Sequence, residues 1–314
     1  MRAVVITRPG GPEVLELRDV ARPEPGPGQI RVAVRASALS RADLLQRRGG
    51  YPAPPGAPAD IPGLEYAGVV DALGPGATLW RPGDRVMGLV AGGGHAEAVV
   101  VHEREAVAVP ERLSFIEAAG VPEVFVTAQD ALFTRLGLGL GEMLLIHAVG
   151  SGVGTAALQL AHLAGATTIG VARTAWKLER AKELGLDHAI HAPEPRFADA
   201  VLGITGGRGV DCILDLVGGA YLADNLRALA THGRMVVVGT VAGSRGELDL
   251  RTLMSRRLTL IGTVLRARPL EEKIDVARRL AHHVVPLLAD GRIRVPVDSV
   301  FAPEQAGEAH LRLE

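Results

Sequence analysis

The sequence predicts an α/β chain in which a compact β structure is followed by a doubly wound parallel sheet covered by helices. Two patterns carry that reading. Before about residue 123, apolar or alternating runs of four to eight residues lie between Pro and Gly turns. Beyond it, strand-like and helical runs alternate at the spacing of βα units. The length of 314 residues adds a third observation, since at ~100–200 residues per domain it favours two domains over one.

In chain order, Gly28–Ser37, Gly68–Leu73 and Glu97–His102 read as short strands of the β domain. Gly49–Pro62 (GGYPAPPGAPADIP) is too long and Pro-rich for a tight turn and reads as an ordered surface loop of the kind that carries binding groups. Met143–His147 is a short buried strand, followed by a glycine turn and a helix over Thr155–Ala164. Thr167–Val171 and Trp176–Leu184 form the next strand and helix. Strands at Asp211–Val217, Met235–Gly239 and Leu258–Gly262 alternate with helices around Phe197 and over Leu222–Ala230. The alternation is that of a Rossmann domain. A helix over Leu270–Leu288, a strand-like run at Ile293–Phe301 and an amphipathic close follow.

Hydrophobic residues make up 47% of the chain and charged residues 22%, which excludes collagen, coiled coil and wholesale disorder. The net charge of −1 offers no field to gather nucleic acid or an anionic membrane, so small-molecule chemistry is expected. The single cysteine, Cys212, falls in a core strand and reads as a small buried hydrophobe. It can form neither an internal disulfide nor a cysteine-rich metal site, and a reducing cytoplasm fits. The opening MRAVVITRPGG carries too short an apolar run for a signal-peptide core, and no stretch approaches a membrane span.

His147–Gly154 (HAVGSGVG) lies between a predicted strand and a predicted helix, the context of a phosphate-binding turn. Its small residues, Gly150, Ser151, Gly152 and Val153 among them, let backbone approach a pyrophosphate, while the helix N-terminus presents free N–H groups and about half a positive charge. A turn that only packs closely is the alternative. About 20 residues further on, an NAD-binding domain places an acid for the ribose 2′-hydroxyl. This chain reads Ala172-Arg173-Thr174-Ala175-Trp176-Lys177 there, with no carboxylate. Arg173 and Lys177, with the Thr174 hydroxyl, are placed to hold the 2′-phosphate of NADPH. At ~1.5–3 kcal/mol per charge-assisted contact, two contacts imply at least a ~100-fold preference over NADH. If Lys177 is instead a solvated helix residue, Arg173 acts alone.

Ala38–Gly49 (ALSRADLLQRRG), Gly63–Gly68 (GLEYAG), Gly92–Ala96 (GGGHA), His147–Leu160 (HAVGSGVGTAALQL), Leu214–Gly219 (LDLVGG) and Leu265–Arg268 (LRAR) together make the chain resemble the zinc-independent quinone oxidoreductases of the medium-chain dehydrogenase/reductase superfamily, most closely their p53-inducible branch. The resemblance implies a GroES-like catalytic domain from residues 1–122 and 266–314, a Rossmann NADP-binding domain from 123–265, and an active site in the cleft between. It implies that Tyr51 is the active-site tyrosine, guiding or protonating a quinone oxygen or serving as an aromatic wall. Thr127 corresponds to a nicotinamide carboxamide anchor, Gly239, Thr263 and Leu265 to backbone around the nicotinamide, and Lys177 to the phosphate-binding lysine. Ser40 stands where the family commonly has asparagine, altering a substrate-side contact. The expected acceptor is a small quinone or a similarly conjugated carbonyl.

Zinc enzymes of the superfamily need ligands that this chain lacks: Ser40 replaces a cysteine, and Leu64 the histidine that would precede Glu65. No metal is expected. His188 and His191, and His282 and His283, lack a convincing ligand frame. His95 follows three glycines and reads as a solvent-exposed loop histidine, Asp43 as the capping partner of Ser40, and Glu65 as either a buried acid or the partner of a cation. Leu258–Gly262, an apolar sheet edge, predicts a homodimer paired through that strand.

Overall fold

The computed structural model describes residues 1–314. It divides into two units, Met1–Val126 with Leu265–Glu314, and Thr127–Val264.

In the first unit β1 (Arg2–Ile6) pairs with β2 (Leu15–Asp19), and β3 (Gln29–Ala36) leads through helix α1 (Arg41–Arg47) to β4 (Glu65–Leu73). With β5 (Arg85–Leu89), β6 (Ala98–His102) and β7 (Val107–Ala108) these make a five-stranded antiparallel sheet ordered β6-β3-β4-β5-β7. Period-two alternation turns Ile30, Val32, Val99 and Val101 to one buried face, where Ile30 stands opposite Val101 and Val32 opposite Val99. Each such side chain taken fully from water contributes roughly 1.5–3 kcal/mol. Residues 49–62 form no regular element apart from turns. Helices α2 (Phe115–Ala119) and α3 (Pro122–Gln129) follow.

In the second unit the strands and helices alternate as β8 (Met143–His147), α4 (Gly152–Leu163), β9 (Thr167–Ala172), α5 (Ala175–Lys182), β10 (His188–His191), α6 (Ala198–Ile204), β11 (Val210–Asp215), α7 (Leu222–Ala228), β12 (Leu229–Val237), α8 (Leu250–Arg256) and β13 (Thr259–Gly262). All six strands are parallel, in the order β10-β9-β8-β11-β12-β13. This is the doubly wound Rossmann order, with its switch point between β8 and β11. Such strands are buried on both faces and read as continuous apolar runs, as Leu144, Leu145 and Ile146 do. Helices α9 (Leu270–Arg279), α10 (Val285–Ala289) and α11 (Ala306–Leu313) belong to the first unit.

Three local expectations give way. Leu229 and Ala230 begin β12 instead of ending a helix, because their side chains are buried beside the sheet and β12 is irregular between Leu229 and Arg234. The run Ile293–Phe301 joins no sheet; Pro296 lacks a ladder donor, and Ile293 alone within it is buried. The long helix after residue 270 is interrupted by a wider turn at 280–284, just before Pro286 at the start of α10.

Candidate active site

The glycine turn of the second unit joins the buried end of β8 to α4. Ser151 caps the helix by accepting the Gly154 N–H at 3.1 Å. A methyl group at Gly154 would lie 2.5 Å from the Ala148 carbonyl, so helix and turn approach as closely as only glycine permits. At Gly150 it would lie 2.7 Å from Lys177 Cβ, because the aliphatic stem of that lysine lies across the turn. Gly150, Ser151, Gly152 and Val153 are thereby brought together with Lys177. Arg173 and Thr174 are exposed where β9 passes into α5, Thr174 as the N-cap residue. Neither Arg173 nor Lys177 pairs with a carboxylate, and no acid ends β9. Lys177 Nζ stands 5.6 Å from the ring centre of Trp176, itself 58% exposed. His191 Nε2 lies 3.1 Å from the Arg173 carbonyl.

Under this turn is a polar network that the sequence reading missed. The Asp215 carboxylate accepts the N–H groups of Val217 and Gly218 at 2.8 and 2.9 Å and the Asn225 amide at 3.1 Å. Asn225 Oδ1 is 2.6 Å from His147 Nε2. Since the Asn225 amide nitrogen faces Asp215, its oxygen accepts from His147. Burial holds the His147 pKa down, and its ring packs edge-on against Tyr221 and Phe197. The network ties the ends of β8 and β11 together at the switch point. Only the sequence LDLVGG hinted at it.

The other residues expected around the nicotinamide are spread over both units. Thr127 is buried on α3. Thr263 donates its N–H to Val237 at 3.2 Å and its hydroxyl to Asp130 at 3.1 Å. Gly239 follows β12, where a methyl group would sit 2.8 Å from the Leu216 carbonyl. Leu265 opens the second segment of the first unit and lines a cavity of about 30 Å³ there.

In the first unit the Ser40 N–H and hydroxyl both donate to Asp43 Oδ2, at 2.7 and 3.0 Å, so the one hydroxyl proton of Ser40 is engaged in capping α1. Asp43 is fully buried and also accepts the Gly63 N–H at 2.8 Å. Gly63 has φ +99°, and a methyl group there would meet the His95 backbone nitrogen at 2.4 Å. The expectation of a solvent-exposed loop histidine at His95 fails, because its side chain is largely enclosed beside Ser37 and Asp43. Its side chain is 12% exposed and its Nε2 lies 4.0 Å from Asp43. The Ser37 hydroxyl donates to the Glu65 carbonyl and therefore accepts from His95 Nδ1, 2.8 Å away. Burial lowers the His95 pKa, with Asp43 opposing. His310 of α11 is buried in the same neighbourhood with neither ring nitrogen bonded, and burial pushes its pKa down to about 4.

Glu65 is a buried acid and not the partner of a cation: its Oε2 accepts the Glu123 N–H at 2.8 Å, and burial raises its pKa well above the usual range. Glu123 lines the cavity shared by Leu265, Arg266 and Lys273, and burial raises its pKa to about 7. Tyr51 is half-buried, with the Arg266 guanidinium 4.8 Å from its ring centre. Cys212 is buried as expected, yet it borders charge, with Arg234 donating to its Sγ at 3.0 Å. No three His, Cys, Asp or Glu side chains are grouped to hold a metal ion.

The zinc-binding dehydrogenase family matches residues 152–282, and the alcohol dehydrogenase GroES-like domain matches residues 26–111. The chain is 32% identical over 330 residues to the rat synaptic vesicle membrane protein VAT-1 homolog, covering 100% of this chain and 81% of that protein. It is 31% identical over 314 residues to human quinone oxidoreductase, covering 99% and 93%. It is 38% identical over 234 residues to the Mycobacterium tuberculosis phthioceranic/hydroxyphthioceranic acid synthase, 74% of this chain but 11% of that much longer protein. Among solved structures, mycobacterial Rv1454c complexed with NADPH superposes with TM-score 0.90 at 28% identity, covering 100% and 96% of the two chains. CurK enoyl reductase superposes with TM-score 0.86 at 26% identity, covering 99% and 95%. With both domain families matched in order, and relatives of this identity aligned over nearly its whole length, the chain belongs to the quinone oxidoreductase-like members of the medium-chain dehydrogenase/reductase superfamily.

Proposed function

We propose that this oxidoreductase is NADPH-dependent and reduces a small quinone without a metal. The observation that carries the cofactor choice is the pair Arg173 and Lys177 at the end of β9, unpaired and with no acid beside them. The glycine turn fits a pyrophosphate: the Ser151 cap, the N-terminus of α4 and the Lys177 stem over Gly150 leave backbone N–H groups and a cation on one surface. Thr127, Gly239, Thr263 and Leu265 are the proposed nicotinamide-end residues.

When bound, the reduced nicotinamide supplies a hydride, two electrons and one hydrogen nucleus, to the acceptor. The chain supplies the rest. One further proton completes the quinol; the Tyr51 O–H bond breaks, an O–H bond forms on the acceptor oxygen, and the phenolate regains its proton from water. The zinc ligands of alcohol dehydrogenases do not fit here, because Ser40 is engaged in capping α1 and Leu64 is apolar. Ordinary alcohols are therefore expected to be poor substrates.

The similarity to CurK enoyl reductase favours a second reading, reduction of an α,β-unsaturated carbonyl by the same residues. Mixing the protein with NADPH and a panel of quinones, enones and alcohols separates the two readings. Tight NADPH binding without oxidation of any mixture would instead mark an NADPH-binding structural or sensing protein. Replacing Arg173 and Lys177 together by alanine should lower the NADPH/NADH ratio of kcat/KM at least ~100-fold; an unchanged ratio refutes the phosphate pocket.

We also infer a homodimer through β13. This strand ends the sheet, and Leu250, Met254 and Val264 near it are exposed. Ile261→Lys should shift the protein to monomer in analytical ultracentrifugation, and a monomeric wild type would refute the inference.

A further inference from the structure

Arg266 is 8% exposed and reaches three segments of the first unit at once. Its Nε donates to the Ala91 carbonyl at 2.7 Å, Nη1 to the Tyr51 carbonyl at 3.1 Å, and Nη2 to Gln46 Oε1 at 2.7 Å. Gln46 in turn donates to the Ala59 carbonyl at 3.1 Å, so both ends of the Pro-rich loop hang on this one fork. The guanidinium carbon also stands over the Tyr51 ring, 4.8 Å from its centre. All three acceptors are neutral. A cation buried on neutral acceptors keeps its positive potential, and such an arrangement is costly when it only staples loops together. Carboxylates stand further out, at Asp43 and at Glu123 across the small cavity.

We propose that Arg266 is the positioning residue of Tyr51: its fork fixes the backbone and ring of the tyrosine, and its charge faces the phenolate that forms when Tyr51 gives up its proton. This rests on the reading of Tyr51 as the acid of the proposed reduction. A lysine cannot replace it, because an ammonium lacks the planar fork that reaches three acceptors and stacks on a ring. Burial raises the Tyr51 pKa, and Arg266 is the group that draws it back.

The chain has three tyrosines, so phenol ionisation can be followed by ultraviolet absorbance, with Tyr51→Phe identifying the Tyr51 component. In Arg266→Met the Tyr51 transition should move up by about one to two pH units. Its kcat should fall about tenfold, the alkaline limb of the kcat profile should move in the same direction, and KM for NADPH should hold. Arg266→Lys should restore most of the transition but not kcat. Gln46→Leu, which removes a single anchor, should lower kcat a few-fold and provides the test if Arg266→Met does not fold. An unmoved Tyr51 transition in folded Arg266→Met, or full kcat in Gln46→Leu and Arg266→Lys, overturns the proposal. If the transition moves and kcat falls in Arg266→Met while Tyr51→Phe turns over as wild type, positioning stands and the reading of Tyr51 as acid is lost.

Discussion

Replacing Glu123 by glutamine should stabilise the protein at alkaline pH and leave it nearly unchanged in acid. Glu123 sits in the first turn of α3, where burial first and Asp43 second raise its pKa from 4.5 to about 7, with Arg266 opposing. A raised folded pKa means that the native state still holds the proton between pH 4.5 and 7 after the unfolded chain has released it. The contribution to stability is therefore complete below pH 4.5 and is lost as pH rises through 7. The shift of some two and a half units corresponds to about 3 kcal/mol at pH 8. The helix N-terminus favours the charged form by only ~0.3–1 kcal/mol, so burial wins. Glutamine keeps the shape and cannot ionise. Urea unfolding followed by circular dichroism should show Glu123→Gln more stable than wild type by up to about 3 kcal/mol at pH 8 and within ~1 kcal/mol of it at pH 4.5. In thermal melts at pH 8 the gain should be roughly 6–12 °C for a domain of this size. An equal difference at both pH values, or a variant that is less stable at pH 8, would refute the assignment of a proton-retaining carboxyl.

The remaining predictions concern other parts of the two units. His310, neutral and buried with a pKa near 4, makes the opposite contribution, because the unfolded histidine takes up a proton that the native one refuses. Between pH 6.5 and 4 it should cost up to roughly 3 kcal/mol of stability as pH falls; His310→Leu should flatten this limb in the same urea series. Asn225→Leu strands Asp215 and His147 without their shared partner, and a loss of roughly 2–3 kcal/mol or more is expected from chemical denaturation. Because Trp176 lies beside Lys177, NADPH binding should change its fluorescence, and Trp176→Phe should abolish the change and leave only Trp80 to report. An unaltered signal in that variant would place the adenosine end elsewhere.

Much of the fold was legible because its signals are local. Strand and helix periods repeat within ten residues, so the βα alternation from Met143 to Gly262 and its parallel sheet followed from the chain alone. The glycine turn, the pair Arg173 and Lys177, and the Ser40–Asp43 cap each involve residues only a few positions apart and were equally accessible. The local patterns failed where burial decided the outcome: Leu229 and Ala230 were drawn into the sheet, and Ile293–Phe301 found no partner strand.

The amino-acid order by itself determined the family and the alternating βα pattern of the second unit. The tertiary structure alone decided what surrounds Tyr51 and the buried acids. Arg266 reaches Gln46 across 220 residues of chain, His95 meets Ser37 and Asp43, and the Glu123 N–H meets the buried Glu65 carboxyl. The physical reason is that a period or a turn is a property of neighbouring residues, whereas desolvation and charge coupling are set by whatever the fold brings within a few ångströms.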